Sequence, residues 1–562
     1  MSTRSKRSRI QANGVLLSIF IASLLFCDLG ASETGAAVGR RGMVSTAHPL
    51  ATQAGVEILK KGGNAFDAAV SVAAVLNVVE PMMSGIGGYG TILIYDAKNK
   101  LVRFLNSSGR IPASLNPDVF RDPYPGAEDN RRGAAAVSTP GNLHAWEALS
   151  RELGRLEWRE LFAPAIRLAE NGFAINERVA GAIEASFQEF SPFVRSFYGR
   201  DGRPLLNGEQ LVQRDLGCTL RMISVKGTPA FYQGVLAEIL VKTLHEQGGF
   251  LSLEDLRGDR SEWFAPIHIS YRGNDVFTAS PPSTAFPSLI RLGMMSRFDV
   301  AGLGHNTPDY LHRFIETTKH AFWCRLRYAG DPEVNLPPLE KLLSESYWKE
   351  QVSRIDVTRA RPFVYPGAGE SIAQHTTHLV VADSEGNIVS ATQTLGNLFG
   401  SRIMPKGTGV WLNNSLAYCT FEPKGNPMDA HPGRRKLSGD CPTIIVRGGS
   451  PWAALGTPGG HTIGQTVPQI IMNLIDFGMD IQRAIAAPRI SFIEPDLIAV
   501  EESISAEVRD RLEALGHKLH LILKPAGLGN AHGLTITYGD DGRPRRFTGG
   551  ADPRGSGLSV GY

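Results

Sequence analysis

The sequence predicts an α+β protein, helix-rich in its first part and sheet-rich in its second. Apolar residues recur at helical spacing through much of the region before Arg361, whereas from Thr376 onward the runs become β-rich. The 61 glycines in 562 residues follow no Gly-X-Y period, which points to many tight turns rather than a fibrous chain. With 42% hydrophobic and 20% charged residues, the chain can bury a sizeable core as one large domain or two ordinary ones.

Taken in order, Arg4, Lys6, Arg7 and Arg9 precede an apolar run from Gly14 to Phe26, the pattern of a secretory signal peptide over residues 1–31. Cleavage after Ala31 would remove four basic residues and Asp28, leaving 54 basic against 54 acidic residues. Export to the periplasm or beyond the cell is therefore expected, and the formal +3 charge does not argue for nucleic acid. An uncleaved N-terminal anchor is the alternative, but the run is short for a spanning helix, and no stable membrane association is expected. Cys27 follows the bulky Phe26, a poor fit to a lipidation site.

Pro49 to Val79 reads as two helices broken by the turn at Gly62–Asn64, the second apolar nearly all round and so expected at the centre of a layered domain. SGIGGYG then leads into a hairpin, TILIYDAKNKLVRFL, turning around Asp96–Lys100. Helical patterns follow at Asn142–Gly172, Gly234–Gly248 and Pro308 to about Tyr328. Arg361–Gln374, rich in proline, glycine and small residues, reads as an exposed loop. After it come a strand, a tight turn at Ser384–Asn387 and a second strand, and one long helix is expected at Thr462–Phe477 among later strands.

Several chemistries are disfavoured by spacing. Cys218, Cys324, Cys419 and Cys441 form no CxxC pair, although a Cys419–Cys441 bridge stays open. The fourteen histidines show no HExxH or comparable ligand pattern, so neither metal nor cofactor is expected. Gly85, Gly87 and Gly90 satisfy GxGxxG but follow a helix and precede a strand, the reverse of the dinucleotide-binding order. Gly557, Ser559 and Gly561 match a nucleophile elbow, but only Tyr562 follows and no helix fits there.

GTPGGHT, Gly456–Thr462, joins a strand to a helix N-terminus, where exposed backbone N–H groups suit a developing oxyanion or form a plain turn. Thr376 opens a strand straight after the exposed loop. As an internal residue it is only a strand threonine. Cut free at its amino side, it would carry an α-amino group of pKa about 7.7–8.0 that can act as base for its own hydroxyl.

KKGGNAFDAAVSVAAVLNVVEPMMSGIGGYG, HTTHLVVADSEGNIVSATQTL, GTPGGHT and ADPRGSGLSVGY together resemble the γ-glutamyltranspeptidases, which are N-terminal-nucleophile hydrolases, from about Gly42 to Tyr562. The resemblance implies a four-layer αββα sandwich and a precursor that cuts itself between His375 and Thr376 into a large subunit (32–375) and a small one (376–562). It also implies that Thr376 is the nucleophile, that Thr394 hydrogen-bonds it, and that Gly459 and Gly460 form the oxyanion hole.

Its acyl-recognition positions are altered. Ser108 stands where the family has an arginine for the γ-glutamyl α-carboxylate, with Arg110 two residues on as a candidate replacement. Gly396 stands at an asparagine position, with Asn397 one step later. Tyr418 replaces the aspartate that holds the substrate ammonium, and Ser438 and Gly439 replace a serine pair. The connector Pro423–Lys436 is shorter than in members with a lid loop. The expected function is a self-processing amidohydrolase that carries a small-molecule acyl group on Thr376 and passes it mainly to water, with specificity moved away from γ-glutamyl. A genuine γ-glutamyltranspeptidase acting on glutathione and a catalytically idle binding relative are the alternatives.

Overall fold

The two β-rich runs after the loop form an antiparallel pair, His375–Asp383 with Ile388–Gly396, in a computed structural model that describes residues 35–121, 130–364, 375–436, 439–524 and 527–562. The expected signal peptide, residues 365–374 of the expected exposed loop, and Ser438 lie outside the described residues. The carboxylate of Asp383 builds the turn between the strands by accepting from the Glu385 and Asn387 N–H groups and from Asn387 Nδ2. It also accepts from the N–H of Ala65, so the same side chain ties the hairpin to the start of the apolar helix Ala65–Val79.

This pair is central in a seven-stranded sheet ordered Leu558–Gly561, Gly42–Thr46, His375–Asp383, Ile388–Gly396, Tyr89–Asp96, Leu101–Asn106, Glu262–Phe264. A second seven-stranded sheet runs Ala37–Gly39, Pro544–Ala551, His532–Tyr538, Ser450–Gly456, Thr443–Arg447, Asn274–Thr278, Ile267–Tyr271. Period-2 alternation divides the first sheet between two cores. Leu379, Val381, Val389, Ala391, Ile92 and Ile94 pack with the helices Pro49–Lys60 and Ala65–Val79. Val380, Ala382, Ile388, Leu93 and Tyr95 turn to the other core, shared with the second sheet and the helices Phe286–Met295, Pro308–Tyr328 and Ile463–Ile475. Helix, sheet, sheet, helix is the expected αββα layering, and both sheets draw strands from each side of the His375–Thr376 bond.

Most local expectations hold. The helix Ala65–Val79 is buried along its whole length and opens with a capping box from Asn64 and Asp67. The expected helical stretch Asn142–Gly172 is two helices, Asn142–Leu153 and Trp158–Asn171, separated at Gly154. The later half holds Ile481–Ala486 and Ala506–Ala514 besides Ile463–Ile475, not one helix. Ala506–Ala514 escapes a periodicity search because only Leu512 of its residues is buried. Cys419 and Cys441 are both free. Among the described residues, no helix is long and apolar enough to cross a membrane.

The core also buries several imidazoles, and burial is the largest influence on each. Burial holds His48 and His320 down to about 4, and His144, His517 and His532 to about 3. Unfolded histidine titrates near 6.5, so between about pH 6.5 and 4 the unfolded chain binds protons that the folded chain refuses. The stability these rings permit is complete above pH 6.5 and is lost as pH falls, by up to about 1.4 kcal/mol per pH unit for each ring. The urea midpoint should therefore drop clearly from pH 7 to pH 5. Equal midpoints would mean that these rings are already charged in the fold.

Candidate functional site

The Thr376 end of the central hairpin is irregular in a useful way. Pairing runs His375 with Gly396 but Thr377 with Gln393, so one extra residue of the Ile388–Gly396 strand is accommodated opposite Thr376. Bulges of this kind re-aim side chains. Here the Leu395 N–H leaves the ladder for the Met83 carbonyl, and Thr394 Oγ1 accepts from the Gly396 N–H at 2.7 Å. The same hydroxyl donates to the His375 carbonyl at 2.6 Å, the carbonyl of the peptide bond that precedes Thr376.

The glycines of SGIGGYG serve this approach. A Cβ on Gly88 would lie 2.3 Å from the Thr394 carbonyl oxygen, so only a glycine lets the backbone pass there. Glu80, at the end of the apolar helix, accepts from the Thr377 hydroxyl at 3.0 Å and faces Arg178, with Arg178 Nε 3.9 Å from Glu80 Oε1. Both neighbours of Thr376 are thus held through their own polar groups.

Thr376 is 1% exposed and lines a cleft of about 620 Å³ together with Arg178, His375, Gly459, His461 and Phe322. Its hydroxyl makes no well-formed hydrogen bond among the described residues. It faces the phenol of Tyr418 closely enough to ease that group's ionisation. Burial, and then Asp440, push the phenol well above its usual range, against Arg325 and the Thr376 hydroxyl. Burial, with Arg178 adding to it, holds His375 down to about 4, so its ring is neutral at ordinary pH.

GTPGGHT folds between the strand Ser450–Gly456 and a single 3₁₀ turn, Gly460–Thr462, that runs into the helix Ile463–Ile475. Gly459 adopts φ +132, accessible to glycine alone, and the Thr462 hydroxyl donates to its carbonyl at 2.9 Å. The hydrogen bonds of the described residues include none donated by the N–H of Gly459 or Gly460. Free donors at a helix start can receive negative charge.

Other residues singled out in the sequence are engaged elsewhere. Arg110 does not line the cleft: its Nη1 donates to the Gly433 carbonyl at 3.2 Å, and its guanidinium faces Asp259 (3.8 Å) and Glu262 (3.7 Å). Ser108 is buried, its hydroxyl on Asn106 Oδ1 and its carbonyl on Arg435 Nη1. At Gly396, a Cβ would meet Asn414 Oδ1 at 2.0 Å, so the family's asparagine has no room there while Asn414 holds the Asn397 N–H. Asn397 itself is half-buried at the strand exit and does not line the cleft.

Sequence reading missed the cleft wall formed by Arg178, Phe322, His461, Glu494 and Arg554. Of these, His461 falls within GTPGGHT and Arg554 within the terminal ADPRG; Arg554 pairs with Glu501 and with Asp552, itself bound to the buried Arg489. Away from the cleft, His312, Glu316 and His517 bring ligand-type atoms together. His312 Nδ1 hydrogen-bonds His517 Nε2 at 2.8 Å, and Glu316 pairs with Lys319.

A pair of antiparallel sheets between helical layers, with a threonine near the start of a central strand facing a cleft, is the architecture of the N-terminal-nucleophile hydrolases. The solved cephalosporin acylase of Bacillus halodurans superposes with a TM-score of 0.87 at 30% identity, covering 94% of this chain and 97% of that one. The glutathione hydrolase proenzyme of Bacillus subtilis is 35% identical over 93% of this chain and 92% of its own length. The acylase ACY 1 proenzyme of a Pseudomonas species is 35% identical over 94% and 95%. The family model for γ-glutamyltranspeptidase matches residues 51–562, and the chain belongs to that family.

Proposed function

We propose that this chain is a self-processing amidohydrolase whose nucleophile is Thr376 and whose acyl specificity has moved away from γ-glutamyl. The observation that carries the reading is the hydrogen bond from Thr394 Oγ1 to the His375 carbonyl. Attack of the Thr376 hydroxyl on that carbonyl carbon places negative charge on the oxygen that Thr394 already contacts. The amide nitrogen then leaves, and an ester joins residues 32–375 to Thr376. Water hydrolyses the ester and leaves Thr376 with a free α-amino group, a base of suitable pKa for its own hydroxyl.

In the second phase the same hydroxyl attacks a substrate amide. The free N–H groups of Gly459 and Gly460 are the donors for that oxyanion; its collapse expels the amine and leaves the acyl group as an ester on Thr376, which water then hydrolyses. Cutting also detaches His375, whose buried ring lines the cleft beside Thr376, and so makes room for an acyl group. Relatives named as glutathione hydrolases and as acylases both support an amide-cleaving enzyme. The engaged Arg110 and the presence of Ser108 and Tyr418 at the two charged positions of the γ-glutamyl clamp favour the acylase side. The oxidising periplasm or extracellular space remains the proposed location, from the N-terminal pattern.

The test is intact-mass analysis of the purified protein combined with hydrolysis of acyl anilides. A fragment spanning 376–562 and release of the aniline are expected. A stable full-length chain that still turns over substrate would overturn the mechanism. Thr394→Val keeps shape and strand preference but removes both hydrogen bonds of the hydroxyl. Self-cutting should slow by about 10²–10⁴-fold, as for other lost positioning groups, with an unchanged circular dichroism spectrum. Wild-type processing in this variant would remove Thr394 from the machinery.

A further inference from the structure

The two halves of the candidate reaction centre stand on different sheets. Thr376 and Thr394 belong to the first, in His375–Asp383 and Ile388–Gly396, whereas the loop that carries Gly459 and Gly460 leaves the second at the end of Ser450–Gly456. Strand pairing does not join the two sheets among the described residues, so the spacing between the Thr376 hydroxyl and those N–H groups depends on the side chains packed between the sheets.

His378 is one of these side chains. It lies two residues beyond Thr376, on the face of the strand that turns Val380 and Ala382 to the second sheet, and it is fully buried. Its Nδ1 is 2.9 Å from Thr392 Oγ1 and its Nε2 is 3.4 Å from Ser390 Oγ, both on the strand that carries Thr394. The Ser390 hydroxyl in turn donates to the Leu455 carbonyl of the second sheet at 3.3 Å. Gly456, the next residue and the first of GTPGGHT, rests on the imidazole: a Cβ there would lie 2.3 Å from His378 Cε1 and 2.6 Å from Nε2.

The direction of this chain follows from the single hydrogen of each hydroxyl. Ser390 gives its hydrogen to Leu455 and so accepts from the Nε2–H of His378, which leaves Nδ1 to accept from the Thr392 hydroxyl. One neutral tautomer thus satisfies both ring nitrogens. Burial, with His532 adding to it, holds the ring well below the usual histidine range, in keeping with that neutral form.

We infer that His378 is a positioning residue that sets the distance from Thr376 to the Gly459 and Gly460 donors, by tying Leu455 and Gly456 of the second sheet to the strands of the first. The inference rests on the proposal that Thr376 is the nucleophile and that these glycines receive the substrate oxyanion. The two reactions of Thr376 then depend on His378 unequally. Self-cutting draws its contact from Thr394, on the same sheet as Thr376. Substrate hydrolysis needs groups from both sheets at a fixed separation, and a misplacement of about 1 Å can cost about 10²-fold in rate.

His378→Phe fills the space of the ring and removes both hydrogen bonds. The processed variant should hydrolyse an acyl anilide with kcat lowered about 10–100-fold and KM within about twofold of wild type, while self-cutting, followed by intact mass, keeps its wild-type rate. His378→Gln, whose amide nitrogen can donate to Ser390, should recover much of the lost kcat. Ser390→Ala breaks the same link with a smaller change and should lower kcat about tenfold with normal cutting, so it decides the matter where the phenylalanine variant does not fold. A wild-type kcat in the processed variants, or an equal fall in cutting and kcat, would overturn the inference and leave the Thr376 mechanism standing. Cutting that persists in Thr376→Ala would overturn the Thr376 reading instead.

Discussion

Replacing Thr376 by alanine should leave one uncut chain and abolish amide hydrolysis. The hydroxyl is required twice, first to attack the His375 carbonyl and then to attack substrate, so its loss removes both steps. In comparable hydrolases, loss of the nucleophile costs about 10⁶-fold in kcat, below practical detection for an anilide assay. The fold should survive, because Thr376 Oγ1 makes no well-formed hydrogen bond whose loss would strand a partner. Electrophoresis, intact mass and urea unfolding together check this result. Thr376→Ser, which keeps a hydroxyl, should still cut itself. Normal cutting of the alanine variant would point to an external protease.

A γ-glutamyl anilide should be used at least about a hundredfold less well than a glutaryl anilide, the matched acyl chain lacking the α-amino group, measured as kcat/KM. The two differ by one α-ammonium group. Where the family resemblance assigns an aspartate for that ammonium, this chain has Tyr418, buried and bordered by Lys436. Leaving one charge of a pair uncompensated in a buried site costs several kcal/mol, and each 1.4 kcal/mol is tenfold. Arg110→Ala serves as the control. It should not affect the ratio of the two substrates, because the guanidinium faces Asp259, Glu262 and the Gly433 carbonyl. Selective loss of γ-glutamyl hydrolysis in that variant would show Arg110 acting as the carboxylate clamp and would restore the glutathione-hydrolase reading.

The parts of the fold that were legible in the sequence are those with a local cause. The alternation in THLVVAD puts Leu379 and Val381 in one core and Val380 and Ala382 in the other, and the Asp383–Asn387 turn closes on its own side chains. The all-apolar run Ala65–Val79 fits only a position covered on every side. GTPGGHT announced its role through glycines that accept backbone angles closed to other residues. Ala506–Ala514, by contrast, buries too little to leave a pattern, and GxGxxG was misleading only until the direction of the neighbouring helix and strand was considered.

By itself, then, the sequence determined the α+β class, the central hairpin and the fully buried helix, because strand alternation, turn chemistry and an all-apolar run act over a few residues, while the αββα layering and the roles expected of Thr376, Thr394, Gly459 and Gly460 are what the family resemblance implies. Only the tertiary structure decided which charges stand near the nucleophile. Arg110 looked available until Asp259, 149 residues away, was seen to hold its backbone N–H and face its guanidinium. Lys436 and Arg325 carry no local signal at all. Lys436 lies 4.7 Å from the centroid of the Tyr418 ring and Arg325 acts on the Tyr418 phenol, and electrostatic environment depends on distance through space, which chain spacing does not encode.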